Sequence, residues 1–175
     1  MPIDTTLEFK AINIGVITIS DTRTNADDRS GDKIVELISA LGHTVVDKII
    51  VKDDIHSIQN AIKSFTITNK AEVVITTGGT GLTGRDVTPE ALNGITDKHI
   101  LGFGELFRQL SYEKIGTSTI QSRACAGLVD NSYVFCLPGS TGAVKDAFQF
   151  ILNTQLDIRH KPCNFIEIMP RLKER

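Results

Sequence analysis

The stretch Ala71-Glu72-Val73-Val74-Ile75-Thr76-Thr77-Gly78-Gly79-Thr80-Gly81-Leu82-Thr83-Gly84-Arg85-Asp86-Val87-Thr88-Pro89-Glu90 decides the fold class. An apolar β-branched run enters a loop holding four glycines, an arginine and an acid, and the loop leads into a helix start. Glycines let backbone N–H groups approach an anion, and a strand ahead with a helix behind aims such a loop at one end of a sheet. Thr88 reads as the N-cap, Pro89 as the first helical position and Glu90 as an acid in the first turn. Gly79 to Gly84 also satisfies the G-x-G-x-x-G pattern of dinucleotide-binding folds. In those folds the third glycine already lies on the helix, whereas Pro89 postpones the helix here. A Walker A reading fails because no Gly-Lys-Ser/Thr follows.

On both sides of this stretch the chain alternates between two periodicities. Residues 12–20, 43–51, 71–76 and 131–137 read as strands, the first a β-branched run suited to burial on both faces. Helical spacing places Ile34, Leu37, Ile38 and Leu41 on one face, ending at Gly42. It does the same for Ile55, Ile58, Ile62 and Phe65, for Leu106, Phe107 and Leu110 within 104–115, and for Val144, Phe148, Ile151 and Leu152 within 143–152. Strand and helix alternation predicts an α/β fold, a mostly parallel sheet covered on both sides, with ligands beyond the carboxyl ends of the strands. The glycine turns 78–84 and 138–142 both follow strands and fall on that rim. Residues 99–128 break the alternation.

At 175 residues and 41% hydrophobic content, one domain over residues 1–175 is expected, burying roughly 70% of its unfolded surface. A net charge of −2 from 19 basic and 21 acidic residues leaves no basic footprint, so nucleic acid is not an expected partner. Cys125, Cys136 and Cys163 are far apart in sequence and lack C-x-x-C spacing, which argues against a disulfide framework or zinc site and predicts reduced thiols. With no long apolar run, no membrane association is expected, and the expected location is the cytoplasm. The histidines His43, His56, His99 and His160 lack metal-ligand spacing and read as surface or edge residues.

Asp86 in the glycine loop, with Asp53 and Asp54 after the second strand, brings carboxylates to one rim, an arrangement suited to Mg2+. For Asp53 and Asp54 the alternative is capping of the following helix; for Asp86 it is an Asx-type turn or a pair with Arg85. Ser140 and Thr141 sit at a helix start that suits anion binding or plain capping. Ser30-Gly31-Asp32 carries the same two readings, with capping the favourite.

Thr77-Gly78-Gly79-Thr80-Gly81 with Arg85-Asp86-Val87-Thr88-Pro89-Glu90, then Gly102-Phe103-Gly104-Glu105, Gln121-Ser122-Arg123-Ala124, Leu137-Pro138-Gly139-Ser140-Thr141 and Arg159-His160-Lys161-Pro162-Cys163-Asn164-Phe165, resemble the MoaB/MogA family of molybdenum cofactor biosynthesis proteins. The similarity spans nearly the whole chain in order, and its later segments look more like MoaB than MogA. It implies a three-layer α/β/α sandwich, the molybdopterin-binding fold, assembled as a homo-oligomeric trimer or hexamer. It further implies Mg2+-dependent transfer of AMP from ATP to molybdopterin with release of pyrophosphate, or molybdopterin binding without turnover, and other molybdenum cofactor biosynthesis proteins as partners. By position the two acids that matter in that family correspond to Asp53, or Asp54 in a shifted register, and Asp86, as catalytic and metal-holding residues. Gly78, Gly79, Thr80, Gly81, Arg85, Pro138, Gly139, Ser140, Thr141, Ser30, Gly31 and Asp32 are the candidates for binding substrate and nucleotide. A flavodoxin-like nucleotide switch rests on fold analogy alone.

Overall fold

The computed structural model describes residues 3–68 and 70–174. Its sheet has six strands in the order β2-β1-β3-β6-β5-β4. Strands β1 (Asn13–Ile19), β2 (Thr44–Val51), β3 (Val73–Thr77) and β6 (Ser132–Leu137) run parallel, while β5 (Cys125–Val129) is antiparallel to both β6 and the short edge strand β4 (Lys98–His99). The strand order reverses between β1 and β3, so their carboxyl ends open a crevice of the kind that takes ligands in α/β sheets.

Helices cover both faces. On one, Ile14, Val16, Val73, Ile75, Phe135 and Leu137 meet α1 (Arg29–Ala40), α4 (Leu101–Ile115) and α5 (Thr141–Ala147), through Ile34 and Ile38, Phe103 and Phe107, and Val144. The last of these helices continues as a π-helical turn, Phe148–Leu152, into α6 (Asn153–Gln155), and α7 (Phe165–Ile168) adds Ile166 to the same core. On the other face, Ile17, Ile19, Val74, Val134 and Cys136 meet Ile58, Ile62 and Phe65 from α2 (Ile55–Lys63) and the π-turn after it, and Ala91 and Leu92 from α3 (Thr88–Asn93). The result is the mostly parallel sheet covered on both sides that the alternation predicted, and the three-layer α/β/α sandwich that the resemblance implied.

Several local expectations are corrected. Helix α1 begins at Arg29, because Asp28, fully buried, caps it by accepting from the Gly31 N–H at 3.0 Å. Ser30, Gly31 and Asp32 therefore lie inside its first turn. Thr88 does not cap α3: its hydroxyl donates to the Gly78 carbonyl at 2.9 Å, anchoring the glycine loop instead. On α4 Phe107 and the half-buried Leu110 face inward as expected, joined by Phe103, whereas Leu106 is exposed. Strands β4 and β5 were not expected. The turn Asp130-Asn131, with φ of 50° and 65°, makes the two-residue hairpin that returns β5 antiparallel into β6. That hairpin brings two cysteines distant in sequence together, since Cys125 faces Cys136 across the β5–β6 ladder. His43 and His160 are buried rather than peripheral. Among the described residues no helix is long and apolar enough to cross a membrane.

Candidate functional site

Four loops converge on the carboxyl edge of the parallel strands: 20–28 after β1, 52–54 after β2, 78–87 after β3 and 138–140 after β6. Two glycines shape the meeting point. Gly78 (φ 112°) passes so close to β1 that a Cβ there would lie 2.2 Å from the Ile19 carbonyl oxygen, and a Cβ on Gly79 (φ 62°) would lie 2.7 Å from the Asp53 carboxylate. Only a residue without a side chain lets the backbone run between a strand end and an acid in this left-handed conformation. The turn is tied to its neighbour by the Thr77 hydroxyl, which donates to the Pro138 carbonyl at 3.0 Å, and by the Gly78 N–H, which donates to Leu137 at 3.0 Å.

A cleft of about 390 Å³ results, lined by Gly78, Gly79, Thr80, Gly81 and Asp86 on one side and by Gln121, Ser122, Pro138, Gly139 and Ser140 on the other. Both glycine turns thus line one rim, as their positions after strands predicted. A second cavity of about 460 Å³ adjoins it through shared walls at Ser122, Pro138 and Ser140, and is lined further by Phe107, Ile115 and Ala143.

The acids separate by role. Asp54 caps α2, its carboxylate accepting from the Ser57 N–H at 2.8 Å. Asp53 is half-buried, accepts from the Val87 N–H at 3.3 Å and packs against Gly79. Burial above all pushes its carboxyl above the ordinary carboxylate range. The Val87 bond pulls the other way, and the negative charges of Asp86 and Asp21 add to the rise. Asp86 is held below that range, chiefly by the hydrogen bond from the Thr83 hydroxyl (2.6 Å), with help from the Thr83 N–H (2.8 Å). Two neighbouring carboxylates pushed in opposite directions are a mark of functional sites.

Asp21 escaped sequence reasoning. It accepts from the Asp53 N–H at 3.3 Å and pairs at 3.3 Å with Arg85, which is otherwise exposed and does not pair with Asp86. Arg23 was missed too. It donates to the Gly139 carbonyl at 3.0 Å and to the Ser30 hydroxyl, lying 3.7 Å from Asp28, and so joins the β1 loop to the second glycine turn. The signal for both lay in the polar stretch 21–31 directly after a predicted central strand. Ser140 caps α5 by accepting from the Ala143 N–H at 3.2 Å, and Thr141 is the first residue of that helix. Asp32 is not brought to the cleft; it is exposed and pairs with Lys48 at 2.6 Å. Gly31 is buried against Asp28 and Thr18, where a Cβ would lie 2.1 Å from the Asp28 carboxylate.

Among the described residues no group of three or more His, Cys, Asp or Glu side chains is arranged to hold a metal. A pair of carboxylates suffices for Mg2+, which keeps several water and phosphate oxygens. Asp53 and Asp86 fit that ion chemically: burial above all, with the negative charges of Asp86 and Asp21 adding to it, disfavours the ionised Asp53 carboxyl, and a divalent cation would favour it.

Comparison with known proteins agrees with this architecture. A family model described as "Probable molybdopterin binding domain" matches residues 15–158. Molybdenum cofactor biosynthesis protein B of Escherichia coli K12 is 44% identical over 167 residues, 95% of this chain and 96% of that protein. The Bacillus cereus protein of the same name is 47% identical over 148 residues, 84% of this chain and 88% of its own. A crystal structure of Molybdenum cofactor biosynthesis protein B superposes with a TM-score of 0.85 at 42% identity, covering 95% of this chain and 98% of the other. The tungsten cofactor synthesizing protein MoaB from Pyrococcus furiosus gives 0.79 at 37% identity, covering 94% and 99%. With matching motifs carried on a matching fold over nearly its whole length, the chain belongs to the MoaB/MogA family of molybdenum cofactor biosynthesis proteins.

Proposed function

We propose that this protein is a Mg2+-dependent molybdopterin adenylyltransferase, transferring AMP from ATP to the terminal phosphate of molybdopterin. The observation that carries the reading is the pair Asp53 and Asp86 flanking one glycine turn, Asp53 packed against Gly79 and raised chiefly by burial, Asp86 lining the cleft and lowered by hydrogen bonds from Thr83. In the transfer an oxygen of the molybdopterin phosphate attacks the α-phosphorus of ATP, the bond from that phosphorus to the bridging oxygen of the β-phosphate breaks, and pyrophosphate leaves. A phosphate nucleophile needs no strong base, so catalysis is mainly alignment and charge neutralisation.

Each part of the chain has a task in that reaction. In the Gly78–Gly81 turn, held in place by Thr88 and Thr77, the Gly78 N–H is taken by Leu137, so the N–H groups of Gly79 and Thr80 are the ones to meet phosphate oxygens. Arg85, exposed and paired with Asp21, would supply a positive charge for the departing pyrophosphate. Ser140 and the start of α5 hold the phosphate of the pterin substrate, whose flat ring system suits the adjoining cavity walled by Phe107 and Pro138. Mg2+, bound by Asp53 and Asp86, would neutralise charge on the phosphates.

The test incubates purified protein with magnesium, labelled ATP and molybdopterin, and follows adenylylated product and pyrophosphate. Asp86→Asn keeps size and removes a charge, so transfer should fall by about a hundredfold or more while molybdopterin binding persists. Equal loss of turnover and binding in a folded variant would assign Asp86 to the pterin pocket instead.

A second reading, a molybdopterin-binding carrier without turnover, draws on one observation. The Asp86 carboxylate already accepts two hydrogen bonds from Thr83, as a purely structural acid would. Tight molybdopterin binding with no product at any magnesium concentration favours that reading.

A further inference from the structure

The exposed arc Gly81-Leu82-Thr83-Gly84-Arg85-Asp86 is held within itself by the Thr83–Asp86 hydrogen bonds and to the β1 loop by the Arg85–Asp21 pair. Leu82, Thr83, Gly84 and Arg85 are all exposed, Gly84 touches nothing on the side where a Cβ would stand, and glycine-rich backbone is costly to order. Yet its two ends are fastened by one side chain. The guanidinium of Arg123 donates from Nε to the Gly81 carbonyl at 2.7 Å and from Nη2 to the Asp86 carbonyl at 2.6 Å. Its backbone N–H donates to Thr80 at 3.1 Å, just ahead of the arc. The remaining nitrogen, Nη1, pairs with Glu90 on α3. Arg123 stands on the short segment between α4 and β5, so the fork joins the glycine loop to the opposite wall of the cleft, where Gln121 and Ser122 lie.

We infer that Arg123 is a positioning residue: by closing the arc at Gly81 and Asp86 it fixes the direction of the Asp86 carboxylate toward the cleft. The inference rests on the adenylyl-transfer reading for its catalytic consequence and on geometry alone for its effect on the loop. A planar fork is required. Two carbonyls about five residues apart in sequence are bridged by nitrogens held rigidly on one plane, which the single ammonium of lysine cannot reproduce. Inside the arc, the Thr83 N–H bonds the Asp86 carboxylate and the Asp86 N–H bonds the Thr83 carbonyl at 3.0 Å, so both amides report whether the arc is closed.

A merely structural Arg123 would act through its pair with Glu90, and the two accounts separate by substitution. Arg123→Lys and Arg123→Gln should lower kcat by about a hundredfold, the loss expected when a reacting group is displaced by roughly an ångström, with little change in the KM for ATP. Amide exchange across residues 80–88 should rise by about tenfold in both variants, with or without magnesium and substrate. Added guanidinium should recover part of the rate of Arg123→Ala. Glu90→Gln, which removes the ion pair and keeps both carbonyl bonds, should retain near-normal rate and exchange. Unchanged exchange in 80–88 in folded Arg123 variants, or the same losses in Glu90→Gln, would overturn the inference. Should the wild-type chain make no adenylylated molybdopterin, the proposed reaction fails, and the exchange experiment still decides whether Arg123 orders Asp86.

Discussion

Two adjacent aspartates, Asp53 and Asp54, have identical chemistry and opposite surroundings. Asp54 is exposed and stands in extended backbone, φ −136° and ψ 133°, where its carboxylate meets the Ser57 N–H. That contact, before the charge of nearby His56, holds its carboxyl below the ordinary range. Asp53 instead packs against Gly79 and the Val87 N–H at the glycine loop, where burial raises it. One residue of offset in the loop exchanges a helix cap for an acid packed against the glycine loop, which is why the sequence alone left the assignment open. The two should therefore fail differently. Asp54→Ala removes an N-cap and should lower the melting temperature by about 2–4 °C while the adenylylation rate is kept. Asp53→Ala should leave the melting temperature level or raise it, since an unfavourable buried charge is lost, and should abolish most of the rate. Thermal melts and rates on both variants check this, and the reverse pattern would move the cleft role to Asp54.

Elements with a strong period were legible: the four parallel strands, α1, α2 and the α5 helix were all anticipated from apolar spacing. What failed was short or non-local. Strand β4 has only two residues, and β5 is recognisable mainly through the Asp130-Asn131 turn that follows it. The cleft was half legible. Glycines and acids announce a phosphate loop locally, whereas Arg23, Asp21 and Arg123 act on carbonyls and acids far away in sequence, and no spacing rule encodes such contacts. His43 belongs to the same class. It lies between α1 and β2, its Nδ1 accepts from the Ile12 N–H at 3.4 Å, and its ring lies 5.1 Å from that of Phe9. Burial lowers its affinity for a proton, against the opposing pull of the Leu156 carbonyl, Asp157 and Glu72. A folded-state value below the ordinary 6.5 means that the unfolded chain binds the proton first. The stability His43 contributes is thus complete above about pH 6.5 and is lost as pH falls toward and through its folded value. Urea melts at pH 7.5, 6.5 and 5.5 should show His43→Gln losing less stability on acidification than the unmodified chain; equal losses would place the acid sensitivity elsewhere.

Among the described residues, several exposed apolar side chains gather on one segment. Helix α4 and the 3₁₀ turn after it, Gly116–Gln121, present Leu101 (71% exposed), Tyr112 (55%), Ile115 (54%) and Ile120 (81%) to solvent. Scattered apolar residues are ordinary on a surface, but several on consecutive elements, in a segment that departs from the parallel alternation, form a patch of the kind proteins cover. The same segment leads directly into Gln121, Ser122 and Arg123, so whatever covers it also borders the cleft. Family resemblance implies a trimer or hexamer, and we expect this patch to form part of the contact. In a cyclic trimer each copy would offer its patch to a different surface of the next, so one charged substitution weakens every interface at once. Sedimentation at micromolar concentration should give a mass that is a multiple of three chains, and Ile120→Asp with Leu101→Glu should shift it to smaller species with the fold retained by circular dichroism. A stable monomer for the unmodified chain, or an undisturbed assembly in the double variant, would remove α4 from the interface. Because Arg123 lies just beyond the 3₁₀ turn, loss of assembly should also loosen the loop 80–88, measured as faster amide exchange there than in the intact oligomer.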